Sequence, residues 1–121
     1  MSESEEKYLR TVYTLTEKQN EIRSIDVAAM LGYSKASVSR AMKNLKENNY
    51  IIMKPYGRIA LTPAGYKKAE TIIEREAIIS GFLQKTLGLT DELSLKYSIY
   101  MAHFIDQETL NRMRAGVVIA L

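Results

Sequence analysis

The stretch Ser24–Thr62, SIDVAAMLGYSKASVSRAMKNLKENNYIIMKPYGRIALT, decides the fold. Ser24 caps a short helix, with Asp26 in the first turn where a carboxylate complements the helix dipole. Ile25, Ala28, Ala29 and Leu31 form its inward side. Gly32 stops it, because a left-handed backbone costs least at glycine. Ser34 caps a second helix. Val38, Met42 and Leu45 recur there at i, i+4 and i+7 and face a core. Lys35, Ser37, Ser39, Arg40, Lys43 and Asn44 occupy the other side. Tyr50-Ile51-Ile52-Met53 and Arg58-Ile59-Ala60-Leu61 are strand-like. Between them Lys54-Pro55-Tyr56-Gly57 suits a type I turn, with Pro second and Gly fourth. Two helices broken at a glycine and followed by a hairpin make the plan of a winged helix-turn-helix, whose second helix enters the DNA major groove.

Outward from this stretch the chain reads as helical. A first helix starts near Ser2 or Ser4, with Ser2 and Glu5 spaced as a capping box. It carries Leu9, Val12, Tyr13 and Thr16 on one stripe and frays near Gln19-Asn20. Thr62 and Pro63 restart the helix after the hairpin, as N-cap and first helical residue. This fourth helix reaches about Thr86, carrying Tyr66, Ala69, Ile72, Ile73, Ile79, Phe82 and Leu83, and Gly88 closes it. Two shorter helices follow, over about Asp91–Ile105 and from Gln107 onward. The expected architecture is mainly α: a winged helix-turn-helix DNA-binding domain over residues 1–65, then a helical dimerisation segment over residues 66–121. Leu93, Ile99, Met101, Phe104, Ile105 and Leu110 either pair two copies or close the core of one. The apolar tail Gly116–Leu121 either packs into an interface or leads into further chain.

Charge and composition agree with this plan. The 121 residues carry a net charge of +3. Between Ser34 and Lys68, Lys35, Arg40, Lys43, Lys46, Lys54, Arg58, Lys67 and Lys68 stand against Glu47 alone, while both flanking segments are mildly acidic. Lys and Arg that neutralise phosphates provide most non-specific affinity for DNA. There is no cysteine, so disulfides and thiolate metal sites are excluded. The polar SESEEK start is unlike a signal peptide, and no apolar run approaches the ~18 residues of a membrane span. A cytoplasmic protein with no membrane partner is expected. Nothing resembles a phosphate loop or a nucleophile–base pair, so an enzyme is not expected.

The candidate DNA contacts follow from position. A recognition helix presents its N-terminal half to base edges. Lys35, Ser37, Ser39 and Arg40 stand there, and Arg40 is the residue able to grip guanine with two hydrogen bonds. Ser34 and Lys43 are placed for phosphate. Lys54, Tyr56 and Arg58 on the wing reach the flanking backbone or minor groove. Ser37 and Ser39 are otherwise plain helix surface, and Tyr56 otherwise packs under the wing. Double-stranded DNA and a second copy of the chain are the expected partners. The alternative is a winged helix used for protein contacts or assembly.

The chain also resembles the diphtheria toxin repressor family, including its manganese transport regulators. The resemblance rests on Tyr8–Tyr13, Val27–Ser34, Ser37-Val38-Ser39, Leu61–Gly65, Phe82-Leu83, Leu87-Gly88 and Ala102–Ile105, in that order along nearly the whole chain. It implies a dimeric transcriptional repressor activated by Fe(II) or Mn(II).

Carried over position by position, the implied metal ligands are mostly replaced. The helix-one positions fall on Lys7 and Arg10, the helix-four histidine position on Glu76, and two helix-five positions on Ile99 and Ala102. Only His103 stands where the family has its histidine. Protonated Lys and Arg repel a cation, and Ile and Ala offer no donor. A lost or altered metal site is therefore expected, with base on helix one and acid on helix four able to pair ionically instead. Glu76, His103 and Asp106, with Glu74 beside them, are the remaining weak candidates for a metal. A lone histidine among Met101, Phe104 and Ile105 is more commonly a packed one.

Overall fold

The computed structural model describes residues 1–116; the apolar tail beyond Gly116 lies outside the described residues. Two compact units divide the chain, Met1–Glu70 and Thr71 onward, with the division inside one long helix. The elements are α1 (Glu3–Lys18), β1 (Ile22–Arg23), α2 (Ser24–Leu31), α3 (Lys35–Glu47), β2 (Ile51–Met53), β3 (Arg58–Leu61), α4 (Pro63–Leu87), α5 (Asp91–Phe104) and α6 (Gln107–Ala115).

In the first unit, α1 packs on α2 and α3, and α3 packs on β2. Ser2 Oγ caps α1 by accepting the Glu5 N–H at 3.1 Å. The buried side of α1 is Tyr8, Leu9, Thr11, Val12 and Leu15. Tyr13 and Thr16, expected on that stripe, are half-buried at its margin. Thr11 and Thr16 satisfy their hydroxyls on the carbonyls one turn back, Lys7 and Val12, at 2.8 Å each. Val38, Met42 and Leu45 of α3 are buried as the spacing predicts. Burying each such side chain contributes about 1.5–3 kcal/mol.

Helix α2 departs from expectation at both its start and its face. Arg23 rather than Ser24 is the cap residue, and the Asp26 carboxylate accepts the Arg23 backbone N–H at 2.8 Å. Val27 and Ala28 are the buried pair, while Ile25 and Ala29 are exposed and Leu31 is half-buried. Eight residues make barely two turns, so apolar spacing alone leaves the inward face undetermined. Gly32 ends α2 with φ 69°, as expected.

The sheet has three strands, ordered β1-β3-β2 and antiparallel throughout. Ile22 pairs with Ile59 and Arg23 with Arg58; Ile51 pairs with Leu61 and Met53 with Ile59. The added strand β1 is two residues long, too short to show alternation in a sequence. The expected type I turn is absent. Tyr56 (φ 64°, ψ 27°) and Gly57 (φ 72°) are both left-handed, in a short 3-10 turn over Pro55–Gly57. A type I turn needs negative φ at its third residue, which is Tyr56.

Thr62 Oγ1 accepts the Gly65 N–H at 2.9 Å where α4 begins, and its own N–H donates to the Tyr50 carbonyl. Gly65 lies so close to Tyr50 that a Cβ there would collide with the Tyr50 carbonyl oxygen.

The second unit builds its core from Ile79, Leu83, Ala102 and Leu110, with Ile78, Phe82, Leu89, Met101, Ile105 and Met113 packed against it. Of the six residues considered for dimer pairing, Met101, Ile105 and Leu110 therefore serve this unit's own core. Leu93 and Phe104 are exposed, and Ile99 is half-buried. Helix α5 is amphipathic in an unusual sense. It buries the small residues Ser94, Ser98 and Ala102. Leu93, Tyr97, Tyr100 and Phe104, at i, i+4, i+7 and i+11, remain exposed.

Candidate nucleic-acid interface

Helix α3 is capped at its start by Ser34, whose Oγ accepts the Ser37 N–H at 3.2 Å. The same Oγ donates to the Ser37 hydroxyl at 3.0 Å. Both serines thus shape the helix N-terminus, and Ser37 is half-buried. Lys35, Ser39, Arg40 and Lys43 are exposed; Arg40 and Lys43 face away from Val38, Met42 and Leu45, Ser39 lies at the flank, and Lys35 stands in the first turn on the same stripe as Val38. With Lys46 the helix therefore offers three lysines, a guanidinium and a hydroxyl to solvent along its length. Its free N-terminal N–H groups add a partial positive charge favourable to phosphate.

The residue before the cap is tied to α1. Lys7 Nζ donates to the Tyr33 hydroxyl at 2.6 Å and lies 5.2 Å from the ring centroid. The Tyr33 ring also meets Tyr8 edge-on, with centroids 5.9 Å apart. The turn that starts the cationic helix is thereby pinned to the first helix. Residues 26 positions apart make this contact, so no local pattern announces it.

On the wing, Lys54 is exposed and Tyr56 is 88% exposed at the tip, so Tyr56 does not pack beneath it. Arg58 is half-buried; its Nε donates to the Pro55 carbonyl at 3.2 Å and its Nη1 to Glu21 Oε1 at 3.2 Å. Arg23, not considered from the sequence, lies beside it on β1 and donates from Nε to the Tyr56 carbonyl at 3.2 Å. Arg23 sits eleven residues before Ser34, where the cationic run begins, and only the strand pairing brings it to the wing.

Near the end of α1 and the start of α4, Tyr66 donates to Glu17 Oε1 at 3.0 Å and packs on Tyr13 with centroids 5.1 Å apart. Hydrogen bonding to Tyr13 and then to Glu17 pushes the Tyr66 phenol above its ordinary pKa.

Two of the weak metal candidates are given other work. Asp106 caps α6, accepting the Thr109 N–H at 2.7 Å. Hydrogen bonds from the Thr109 side chain and backbone hold its carboxyl below the usual range. Glu74 pairs with Arg114 at 2.9 Å. Glu76 is buried, and His103 is half-buried against the Phe104 ring at 5.0 Å. Among the described residues, no group of three or more His, Cys, Asp or Glu side chains could hold a metal ion. Arg75 caps α5 instead: Nε and Nη2 donate to the Ala102 carbonyl at 3.1 and 2.8 Å, and Nη2 also donates to the Ile105 carbonyl.

Comparison with known proteins agrees with this geometry. Residues 1–59 match the family described as iron dependent repressor, N-terminal DNA binding domain. The transcriptional regulator MntR of Salmonella typhimurium strain LT2 is 34% identical over 108 residues, covering 89% of this chain and 68% of the relative. The uncharacterized HTH-type transcriptional regulator MJ0568 of Methanocaldococcus jannaschii is 29% identical over 115 residues, covering 94% of this chain and 92% of the relative. The crystal structure of the metal-dependent transcriptional regulator MtsR superposes with a TM-score of 0.85 at 21% identity, covering 95% of this chain and 54% of that one. The chain spans about half the length of several of the solved structures it matches, MtsR among them. A capped cationic helix, a wing at its side and these relatives lead to one conclusion: the chain belongs to the iron-dependent repressor family.

Proposed function

We propose that this chain is a sequence-specific DNA-binding transcriptional regulator, a repressor that docks α3 in the major groove. The observation that carries the reading is the exposed side of α3, where Lys35, Ser39, Arg40 and Lys43 follow the Ser34 cap. Arg40 and Lys35 face base edges, Ser34 and Lys43 hold phosphates, and Lys54, Tyr56 and Arg58 follow the flanking backbone or minor groove. Ser37 and Ser39 contribute hydroxyls at the helix start.

The protein works as a homodimer in the cytoplasm, with residues 1–65 reading DNA and residues 66–121 pairing two copies. The exposed Leu93, Tyr97, Tyr100 and Phe104 support this pairing, because a contiguous apolar surface of that kind marks an interface. Two recognition helices one turn of DNA apart then bind a symmetric site. No catalytic step belongs to this role.

Manganese or iron is the effector that the relatives' names suggest. The donor set here does not fit either ion. Beyond Glu76 and His103, the positions implied as ligands hold Lys7, Arg10, Ile99 and Ala102, and Lys7 is engaged with Tyr33. Two of these are cations and two have no side-chain donor. DNA binding in this chain accordingly proceeds without added metal.

Fluorescence anisotropy on duplexes selected from a random library, in EDTA and again with Mn(II), tests both halves. Affinity that falls steeply with salt and shifts less than about twofold on adding Mn(II) is expected. A gain of about tenfold or more with Mn(II) overturns metal independence, and absence of salt-dependent binding overturns the regulator reading.

A further inference from the structure

Arg23 on β1 and Arg58 on β3 are direct cross-strand partners. Like charges placed opposite each other in a sheet repel. Here each guanidinium is anchored by its Nε to a carbonyl of the wing turn, Arg23 to Tyr56 and Arg58 to Pro55, both at 3.2 Å. Their outer nitrogens converge on one carboxylate. Arg58 Nη1 lies 3.2 Å from Glu21 Oε1, and Arg23 Nη2 lies 3.8 Å from Glu21 Oε2. Each arginine thus addresses a different oxygen of the same anion. The three side chains remain 36–54% exposed, at the foot of the turn that projects Tyr56.

A phosphodiester offers the same features as that carboxylate: one negative charge and two oxygens able to accept from guanidinium forks. We propose that Arg23 and Arg58 form one phosphate seat on the wing, which Glu21 fills in the free protein and a DNA backbone phosphate takes over on binding. The inference rests on the DNA-binding reading and adds Arg23 and Glu21 to it. Displacing Glu21 is inexpensive, because an exposed ion pair holds weakly and is weakened further by salt. The gain is the counterions released when a phosphate is neutralised. Glu21 then acts as a brake on sequence-independent affinity, since it competes for the seat and repels phosphate beside it.

The experiment compares wild type, Glu21→Gln, Arg23→Ala and the double variant on a random-sequence duplex between about 50 and 200 mM salt. Melting temperatures are measured for each. Glu21→Gln should bind about fivefold tighter. Its plot of log affinity against log salt should keep nearly the wild-type slope, because the same phosphate is neutralised in both complexes, whereas Arg23→Ala should be shallower by about 0.9, the increment for one phosphate. Arg23→Ala should bind more weakly than wild type, and the double variant should lose the gain of Glu21→Gln. Glu21→Gln with unchanged or weaker binding overturns the seat, as does Arg23→Ala with wild-type affinity and slope. A folded wild type that shows no salt-dependent binding overturns the DNA-binding reading and the seat together, whereas wild-type binding indifferent to both variants overturns the seat alone. Should Glu21→Gln fail to fold, Arg23→Ala decides the matter by its affinity and slope.

Discussion

Lys7 on α1 donates to the hydroxyl of Tyr33 at 2.6 Å, and Tyr33 is the residue immediately before the cap of the exposed cationic helix. The contact fixes the start of α3 against α1. Lys7→Met and Tyr33→Phe should each weaken DNA binding about fivefold, or ~1 kcal/mol for a charge-assisted bond near the surface. The double variant should be no weaker than the worse single one, because both remove the same interaction. Tyr33→Phe keeps the ring against Tyr8, so its melting temperature should stay close to wild type. Additive losses in the cycle would show that the two side chains act separately.

Arg40 and Lys43 lie one turn apart on the exposed side of α3 but should fail differently when removed. Arg40→Ala should cost about 1–3 kcal/mol on the selected site and relax preference at one base pair. Lys43→Ala should weaken binding evenly across sequences and reduce the salt slope by about 0.9. Selection on a randomised duplex library with each variant checks the first outcome; salt titration checks the second.

Tyr100 and Phe104, 54% and 73% exposed on α5, should matter to assembly rather than to folding. Replacing both with serine should convert a dimer to a monomer in sedimentation while leaving the urea midpoint of the monomer almost unchanged. It should also weaken binding to a symmetric site far more than to a half-site, since the two modules no longer bind as one.

Arg75 ends α5 through three hydrogen bonds to the Ala102 and Ile105 carbonyls. Arg75→Ala should destabilise the second unit by about 1.5–3 kcal/mol, the usual cost of losing bonds to a charged donor with carbonyls left unmet. Arg75→Lys should recover only part, because an ammonium cannot reproduce the planar fork. Urea unfolding read by circular dichroism measures both.

Asp106 should make the chain acid-sensitive. Its carboxyl is held below the ordinary carboxylate range by the Thr109 side chain and backbone. The folded state therefore binds its proton less readily than the unfolded state. The stabilisation is present above the unfolded carboxylate pKa and fades as pH falls through the lower folded value. Asp106→Asn should remove that component of the acid dependence while still capping α6 through its side-chain oxygen. Melting curves from neutral pH to about pH 2 should show a shallower decline for the variant.

How far a residue could be read depended on how far away its determinant lay. Val38, Met42 and Leu45 declared a helix face because the helical spacing repeats over two turns within eight residues. Ser34, Gly32 and Ser2 declared helix ends because caps are satisfied by residues three or four positions away. Ile25 and Ala29 misled because α2 is too short for its period to select one side. Tyr56 misled because a left-handed residue other than glycine is not signalled by its type. On α5 Leu93, Tyr97, Tyr100 and Phe104 pointed outward and the serines inward, the reverse of ordinary amphipathic logic.

The amino-acid sequence by itself determined the order of elements, the cationic segment and the donor chemistry available at the positions where relatives of this family would hold a metal. These are local or additive properties: periodicity, caps and charge need no knowledge of distant neighbours. Tertiary structure alone decided that Lys7 meets Tyr33, that Arg75 closes α5, and that Arg23, Glu21 and Arg58 come together on the wing. Each joins residues 26 or more positions apart, or depends on a two-residue strand pairing, and only chain folding sets which distant groups share a few ångströms.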